Sequence, residues 1–220
     1  MNLTSCKENH DNFSNSSISE GIIEFDIIYP KKVEKEWSFI LPKKMTMTFK
    51  NNVYKNEISK SLIKSSIISD CNEKKMIMIL NFGMDKIYTV LDEKATQIWL
   101  KNFPSPDILY SNRIDSIIDF SCAIHYGIYE KLGDGSDVTL YETKNINIKN
   151  SNWCNPFNKI QGVLLNYEIS QYGLNMKLKA NSFSSKTDIN KTTFEIPSNF
   201  KEVSLEHYMH KMEDLFSNLL

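Results

Sequence analysis

The chain has 220 residues, a formal net charge of -1 and 41% hydrophobic residues. That supplies one sizeable core, and so even a charge balance argues against a nucleic-acid binder, which needs a basic face to displace counterions. No stretch approaches the roughly 18 consecutive apolar residues of a membrane helix, and Arg113 stands as the one arginine among the lysines, which argues against bidentate phosphate or carboxylate recognition.

The chain begins with polar sequence. Lys7 to Ser17 is rich in Asn, Ser and charge with a single aromatic, Phe13, and cannot bury enough surface to order itself. Residues 1–20 therefore read as a disordered tether. At its start, Leu3-Thr4-Ser5-Cys6 resembles the lipobox of bacterial lipoproteins, in which the cysteine is diacylated. Only Met1-Asn2 stand before Leu3, where a complete signal peptide has an apolar run of about 7–15 residues. The expectation is lipidation at Cys6, and with it a membrane anchor and a place in the cell envelope, periplasm or outer membrane.

From Gly21 to about Lys186 the dominant hydrophobic period is two, which predicts strands. The first runs from Gly21 to Tyr29 and stops at Pro30. Met45 to Lys50 alternates strictly, and Val53 to Ile58 resumes after Asn51-Asn52. Asparagine tolerates positive φ, so this is a hairpin. Leu62 to Asp70, Lys75 to Phe82 and Lys86 to Leu91 continue the series, with turns at Cys71–Lys74 and Gly83–Asp85. Asp92 predicts a helix N-cap, with Ala95, Ile98, Trp99 and Asn102 at helical spacing before Pro104 and Pro106. Ile108 to Tyr126 predicts two strands, Tyr129 to Leu132 begins another, and Gly133–Ser136 turns into Asp137 to Glu142. A long loop, Lys149 to Asn158, carries Trp153, Cys154, Pro156 and Phe157. Gly162 to Ile169 and Leu174 to Ala180 form a hairpin around Gln171-Tyr172-Gly173. The period then changes: from Ser204, Leu205, Tyr208, Met209, Met212, Leu215, Phe216 and Leu219 form one apolar helical stripe that must cover an apolar surface.

Four cysteines, Cys6, Cys71, Cys122 and Cys154, fit no Cys-x-x-Cys pattern. With Cys6 lipidated, one disulfide and one free thiol remain open, the pairing unassigned. Cys122 alternates with Phe120, Ile124 and Tyr126 and reads as a small core residue. His207, His210 and Asp214 share a helix face, but one opposite the apolar stripe and hence solvated. Asp134-Gly135-Ser136-Asp137 lacks the spacing of a calcium loop. No nucleophile elbow, phosphate loop or zinc-protease motif occurs. The expectation is no metal, no cofactor and no catalytic residue.

Gly21–Pro30, Leu41–Asn52, Asn155–Phe157 with Gly162–Leu165, and Phe194-Glu195-Ile196-Pro197 before the last helix resemble the DUF4412-like group of Bacteroidetes envelope proteins. That group is related in fold to the lipoprotein carrier LolA. The resemblance spreads over most of residues 21–216. It implies a mainly β, α+β domain over 21–220: a curved antiparallel sheet, or half-barrel, covered by the short helix near 92–102 and the helix near 204–218. It also implies export. It transfers no functional residue.

Methionines and aromatics recur on the strands. Met45, Met47, Phe49, Met76, Met78, Tyr88, Trp99, Tyr167 and Met176 are the candidate lining of an apolar site, and Met84 follows the same pattern. Methionine is flexible and polarisable and accepts varied apolar partners; the same residues could equally be a solid core. The expectation carried forward is a monomeric envelope lipoprotein, not an enzyme, that holds a lipid or acyl chain between sheet and helices. The alternative is a structural or protein-interaction lipoprotein without a small ligand, presenting an exposed patch at the Trp153–Phe157 loop.

Overall fold

Strand β1 (Glu20–Ile28) buries alternate residues, among them Ile23, Phe25 and Ile27, as its period of two requires. It pairs with β2 (Lys44–Lys50), which is joined to β3 (Val53–Lys60) by the Asn51-Asn52 turn. Both asparagines have positive φ, 50° and 71°, the requirement of a tight hairpin that keeps the strand twist. β4 (Ile63–Asp70), β5 (Lys75–Phe82) and β6 (Asp85–Leu91) extend this meander, with Ser61, Lys74 and Gly83 supplying the positive φ of the turns. This is the computed structural model of the chain, and it describes residues 17–129, 137–171, 174–185 and 188–217. Leu3 to Cys6, the tether up to residue 16 and the Gly133–Ser136 turn lie outside the described residues.

β7 (Asp107–Ile117), β8 (Phe120–Ile128), β9 (Val138–Thr143), β10 (Val163–Gln171) and β11 (Leu174–Ser184) build the other half. β11 returns to pair with β1, so a single 12-stranded sheet results, in the order β12-β6-β5-β4-β3-β2-β1-β11-β10-β9-β8-β7. It is mostly β, curved and open, a half-barrel. The pairings are antiparallel except that of β12 (Lys201–Glu202), which lies parallel to β6 and covers its outer edge.

Helix α1 (Lys31–Trp37) lies in the β1–β2 connection and was not predicted. Pro30, read as a strand stop, also opens this helix, where its missing N–H costs nothing. The Ile118-Asp119 turn between β7 and β8 has positive φ at both residues, 50° and 64°; Asp119 suits a turn, but the β-branched Ile118 before it masks the signal. Tyr129 lies outside any strand, and residues 130–132, on which the rest of that expected strand falls, are outside the described residues. Helix α2 (Glu93–Leu100) is capped as read, the Asp92 carboxylate accepting from Ala95 N at 2.8 Å. Helix α3 (Leu205–Ser217) starts at Ser204, whose Oγ accepts from His207 N at 3.2 Å.

The two faces of the sheet differ. The concave face carries the main core, to which α3 adds Tyr208, Met212 and Leu215 and α2 adds Trp99. Trp99 Nε1 donates to Met209 Sδ at 3.4 Å, tying the two helices together. The convex face carries a smaller cluster, Ile68, Ile77 and Ile79, covered by Phe194, Ile196 and Phe200 around a 3-10 turn (Lys191–Phe194). β5 is thereby buried on both faces, which is why its Met-Ile-Met-Ile-Leu run is continuous rather than alternating.

Candidate apolar binding site

Under α3, the concave face encloses an apolar cavity of about 160 Å³. Its walls come from seven strands, with Ser65 and Ile67 supplied by β4. Ile27 and Tyr29 follow from β1, Met45 from β2, Ile58 from β3, Met78 from β5, Tyr167 and Ile169 from β10, and Met176 and Leu178 from β11. Tyr208 and Met212 close it from α3. The α3 side chains and the methionines themselves occupy much of the gap between sheet and helix.

Few polar groups reach this space. The Tyr29 hydroxyl donates to Pro42 O at 2.8 Å, and the Tyr208 hydroxyl is engaged by the Ser65 side chain. Burial raises the pKa of Tyr29 and Tyr167, and pushes that of Tyr208 up to about 12, so all three are neutral phenols. Asn56 differs: its Oδ1 is buried and meets no partner among the described residues. Asn56 lines this cavity and also a narrow cleft beside Met47, Phe25 and Tyr54. A buried acceptor without a donor costs about 1–3 kcal/mol.

Four of the nine candidate residues line the cavity: Met45, Met78, Tyr167 and Met176. Met47 lines the neighbouring cleft. Phe49, Met76 and Trp99 are buried in the same core away from the cavity, Phe49 stacked against Phe183 with ring centroids 6.5 Å apart. Tyr88 is a correction. It lies on the convex face with Ile79, and its hydroxyl donates to Glu202 Oε2 at 3.3 Å. One residue of register exchanges the faces of a strand, and Thr89 rather than Tyr88 points inward on β6. Met84 is a second correction, because it sits fully exposed in the β5–β6 turn. Asn56, Tyr208 and Met212 went unrecognised, although a polar residue at the inward position between Tyr54 and Ile58 was a readable signal for the first.

The Trp153–Phe157 loop is not an exposed patch. Trp153, Cys154 and Phe157 are buried, since the loop folds back over the concave core. Trp153 Nε1 donates to Ser69 Oγ at 2.7 Å, and Tyr54 OH donates to Ser151 O at 2.9 Å. Cys154 Sγ and Cys71 Sγ lie 3.5 and 3.7 Å from the same Ser69 Oγ. Cys71, Cys122 and Cys154 are all free thiols.

Burial pushes the Cys71 pKa up to about 12 and that of Cys122 up to about 11 from an ordinary 9.0, and raises that of Cys154. All three should therefore resist alkylation in the native state and react only on unfolding, as read by intact mass with and without denaturant. Thiols of the unfolded chain ionise near 9.0 while Cys71 holds its proton to about 12. The associated stability is present below pH 9 and is lost as pH rises towards 12. Cys122→Ala should flatten the loss between 9 and 11 in alkaline urea titrations.

On α3, His210 Nδ1 and Asp214 Oδ2 are 3.1 Å apart and both are exposed. Among the described residues no group of histidines, cysteines and carboxylates could hold a metal, and no helix is long and apolar enough to cross a membrane.

No family model matches the chain, and no curated protein sequence matches it. Among solved structures its fold is similar to that of PNGF-II. Two crystal forms of that protein overlay with TM-scores of 0.55 and 0.56 at 7% and 8% identity. Each overlay covers 87% of this chain and 32% of PNGF-II, so the chain spans about a third of that protein's length. LprF from Mycobacterium bovis overlays more loosely, with a TM-score of 0.30 and 12% identity over 81% of this chain and 89% of LprF. These likenesses concern the fold alone.

Proposed function

We propose that the protein is a non-catalytic binder of an apolar chain, held in the cavity between the concave sheet and α3, and that it works in the cell envelope, tethered through Cys6. The observation that carries this reading is the cavity itself: about 160 Å³, walled by Met45, Met78, Met176, Tyr167 and Met212, with the unpartnered Asn56 Oδ1 at its wall. An apolar cavity of about 150 Å³ accepts a benzene-sized guest. The site therefore takes the tip of an acyl chain or one ring, roughly six carbons. At about 0.8 kcal/mol per buried methylene this gives roughly 5 kcal/mol, or sub-millimolar binding. That suits a ligand handed on rather than kept. Methionine side chains can also rearrange to admit a longer stretch, and a hydroxyl or amide N–H on the ligand would satisfy Asn56.

Native mass spectrometry of gently purified protein and titration with a fluorescent fatty acid test the reading. Wild type should bind the probe, and Met78→Trp, which fills the cavity, should weaken binding by about tenfold or more. Overpacking costs about 1–3 kcal/mol, so Met176→Trp at the half-buried side of the cavity serves as a second variant. Absence of probe binding by wild type, or unchanged binding by folded variants, would overturn it.

A further inference from the structure

The strand registers bring one set of connections to one end of the sheet. Ile28, Lys44, Lys60, Ile63, Phe82 and Asp85 terminate neighbouring strands at that end. So do Gln171 and Leu174, which line the cavity there. The connections at this rim carry large apolar side chains at their tips. Phe39 follows α1 and is 71% exposed, Leu62 in the β3–β4 turn is 72% exposed, and Met84 in the β5–β6 turn is fully exposed, beside Phe82. Scattered exposed apolar residues are ordinary; three successive connections with the same feature are not. At the opposite end no tip carries a fully exposed large apolar side chain: the tips are Asn51-Asn52, Asn72-Glu73, and Asp119 beside a half-buried Ile118.

The turns that present Leu62 and Met84 are tight, with Ser61 and Gly83 at φ of 53° and 58°, so these side chains project on short supports. Alternate hairpins of a sheet are separated by two strand spacings, roughly 10 Å, so the tips form a row of separate knobs rather than one continuous face. The same connections are basic. Residues 31–44, 59–64 and 82–86 hold eight lysines and three acidic residues in a chain of net charge -1. Lys43 and Lys44 make only exposed ion pairs, Lys64 pairs with the half-buried Glu57, and Asp85 is held by Lys211. Lys31, Lys32, Lys35, Lys60 and Lys86 are exposed or half-buried and have no ion-pair partner among the described residues.

We propose that this rim, with the tips Phe39, Leu62 and Met84 and the surrounding lysines, docks on a membrane surface carrying anionic lipids. Spaced apolar knobs insert among acyl chains, and lysines gain from an anionic surface within a Debye length. The docking stands by itself; its use, bringing the cavity beside the lipid from which a chain enters, rests on the binding role proposed above.

Vesicle co-sedimentation tests it with unlipidated protein. Wild type should sediment with phosphatidylcholine vesicles containing phosphatidylglycerol and not with pure phosphatidylcholine, and high salt should release it. Phe39→Ser with Leu62→Ser should lower partitioning by about tenfold or more, and Lys60→Glu with Lys86→Glu should do likewise. Neither pair lines the cavity, so both variants should still bind the soluble fatty-acid probe in the absence of vesicles. Failure of wild type to sediment with the anionic vesicles, or unchanged sedimentation of the Phe39/Leu62 variant, overturns the docking. Failure of wild type to bind the probe overturns the cavity reading alone.

Discussion

Replacing Glu142 with alanine is expected to destabilise the protein by about 3–5 kcal/mol, the usual cost of removing one partner of a buried polar pair. Glu142 on β9 and His125 on β8 are 6% and 5% exposed, and His125 Nε2 lies 2.8 Å from Glu142 Oε2. The other carboxylate oxygen accepts from Gly162 N at 2.6 Å. One side chain thus joins β8, β9 and the entrance to β10. Alanine would leave the Gly162 amide and the His125 ring buried without acceptors. His125 Nδ1 already lacks a partner among the described residues, and the ring packs edge-on against Tyr110 at 5.0 Å between centroids. Gly162 is part of the same clamp. A Cβ there would lie 2.5 Å from Thr143 O and 2.8 Å from Glu142 Oε1, so Gly162→Ala should also destabilise strongly. Urea unfolding with the slope held constant measures both. Glu142→Gln keeps an oxygen that can accept from Gly162 and should recover part of the loss. A Glu142→Ala midpoint equal to wild type would refute the clamp.

Trp153→Ala should cost a similar amount, about 3–5 kcal/mol, as large-to-small changes of buried aromatics do. Trp153 is 5% exposed and gives its N–H to Ser69. Its backbone carbonyl accepts from Gln97 Nε2 at 3.2 Å, which ties the loop to α2, and Lys74 Nζ lies 5.2 Å from the ring centroid. Removal leaves a cavity and deprives Ser69 of a donor in the cluster that also holds Tyr54, Cys71 and Cys154. The expected result is a lower urea midpoint and an altered near-ultraviolet circular dichroism signal. If this loop were instead a surface for partners, the variant would keep full stability and lose only binding.

The strands were legible wherever one face meets the core and the other meets solvent. β1 to β6, the Asn51-Asn52 hairpin, the Asp92 cap and the α3 stripe each follow from local periodicity or from one residue's backbone preference. Legibility failed where local sequence is neutral. The Ile118-Asp119 turn has a lone aspartate after a β-branched residue, and β12 is two residues long and exists only because it lies along β6. The candidate site was legible in part for the same reason. The methionine pattern marked Met45, Met78 and Met176, but periodicity does not say which of two buried faces a strand residue occupies. On β6 the convex face is covered by residues 194–200, distant in sequence, so Tyr88 looked as inward as its neighbours.

By itself the sequence determined a β meander with two capped helices, a polar first segment and a methionine-rich set of strand residues, because period, caps and turns act over a few positions. Only the tertiary structure decided that β11 returns to β1, that the Trp153 loop is buried, that α3 leaves a cavity of about 160 Å³ above the sheet, and that Phe39, Leu62 and Met84 share one rim. Those outcomes depend on pairing between residues far apart in the chain. Contacts of that kind are selected by total burial and hydrogen-bond satisfaction across the whole fold, which no local pattern encodes.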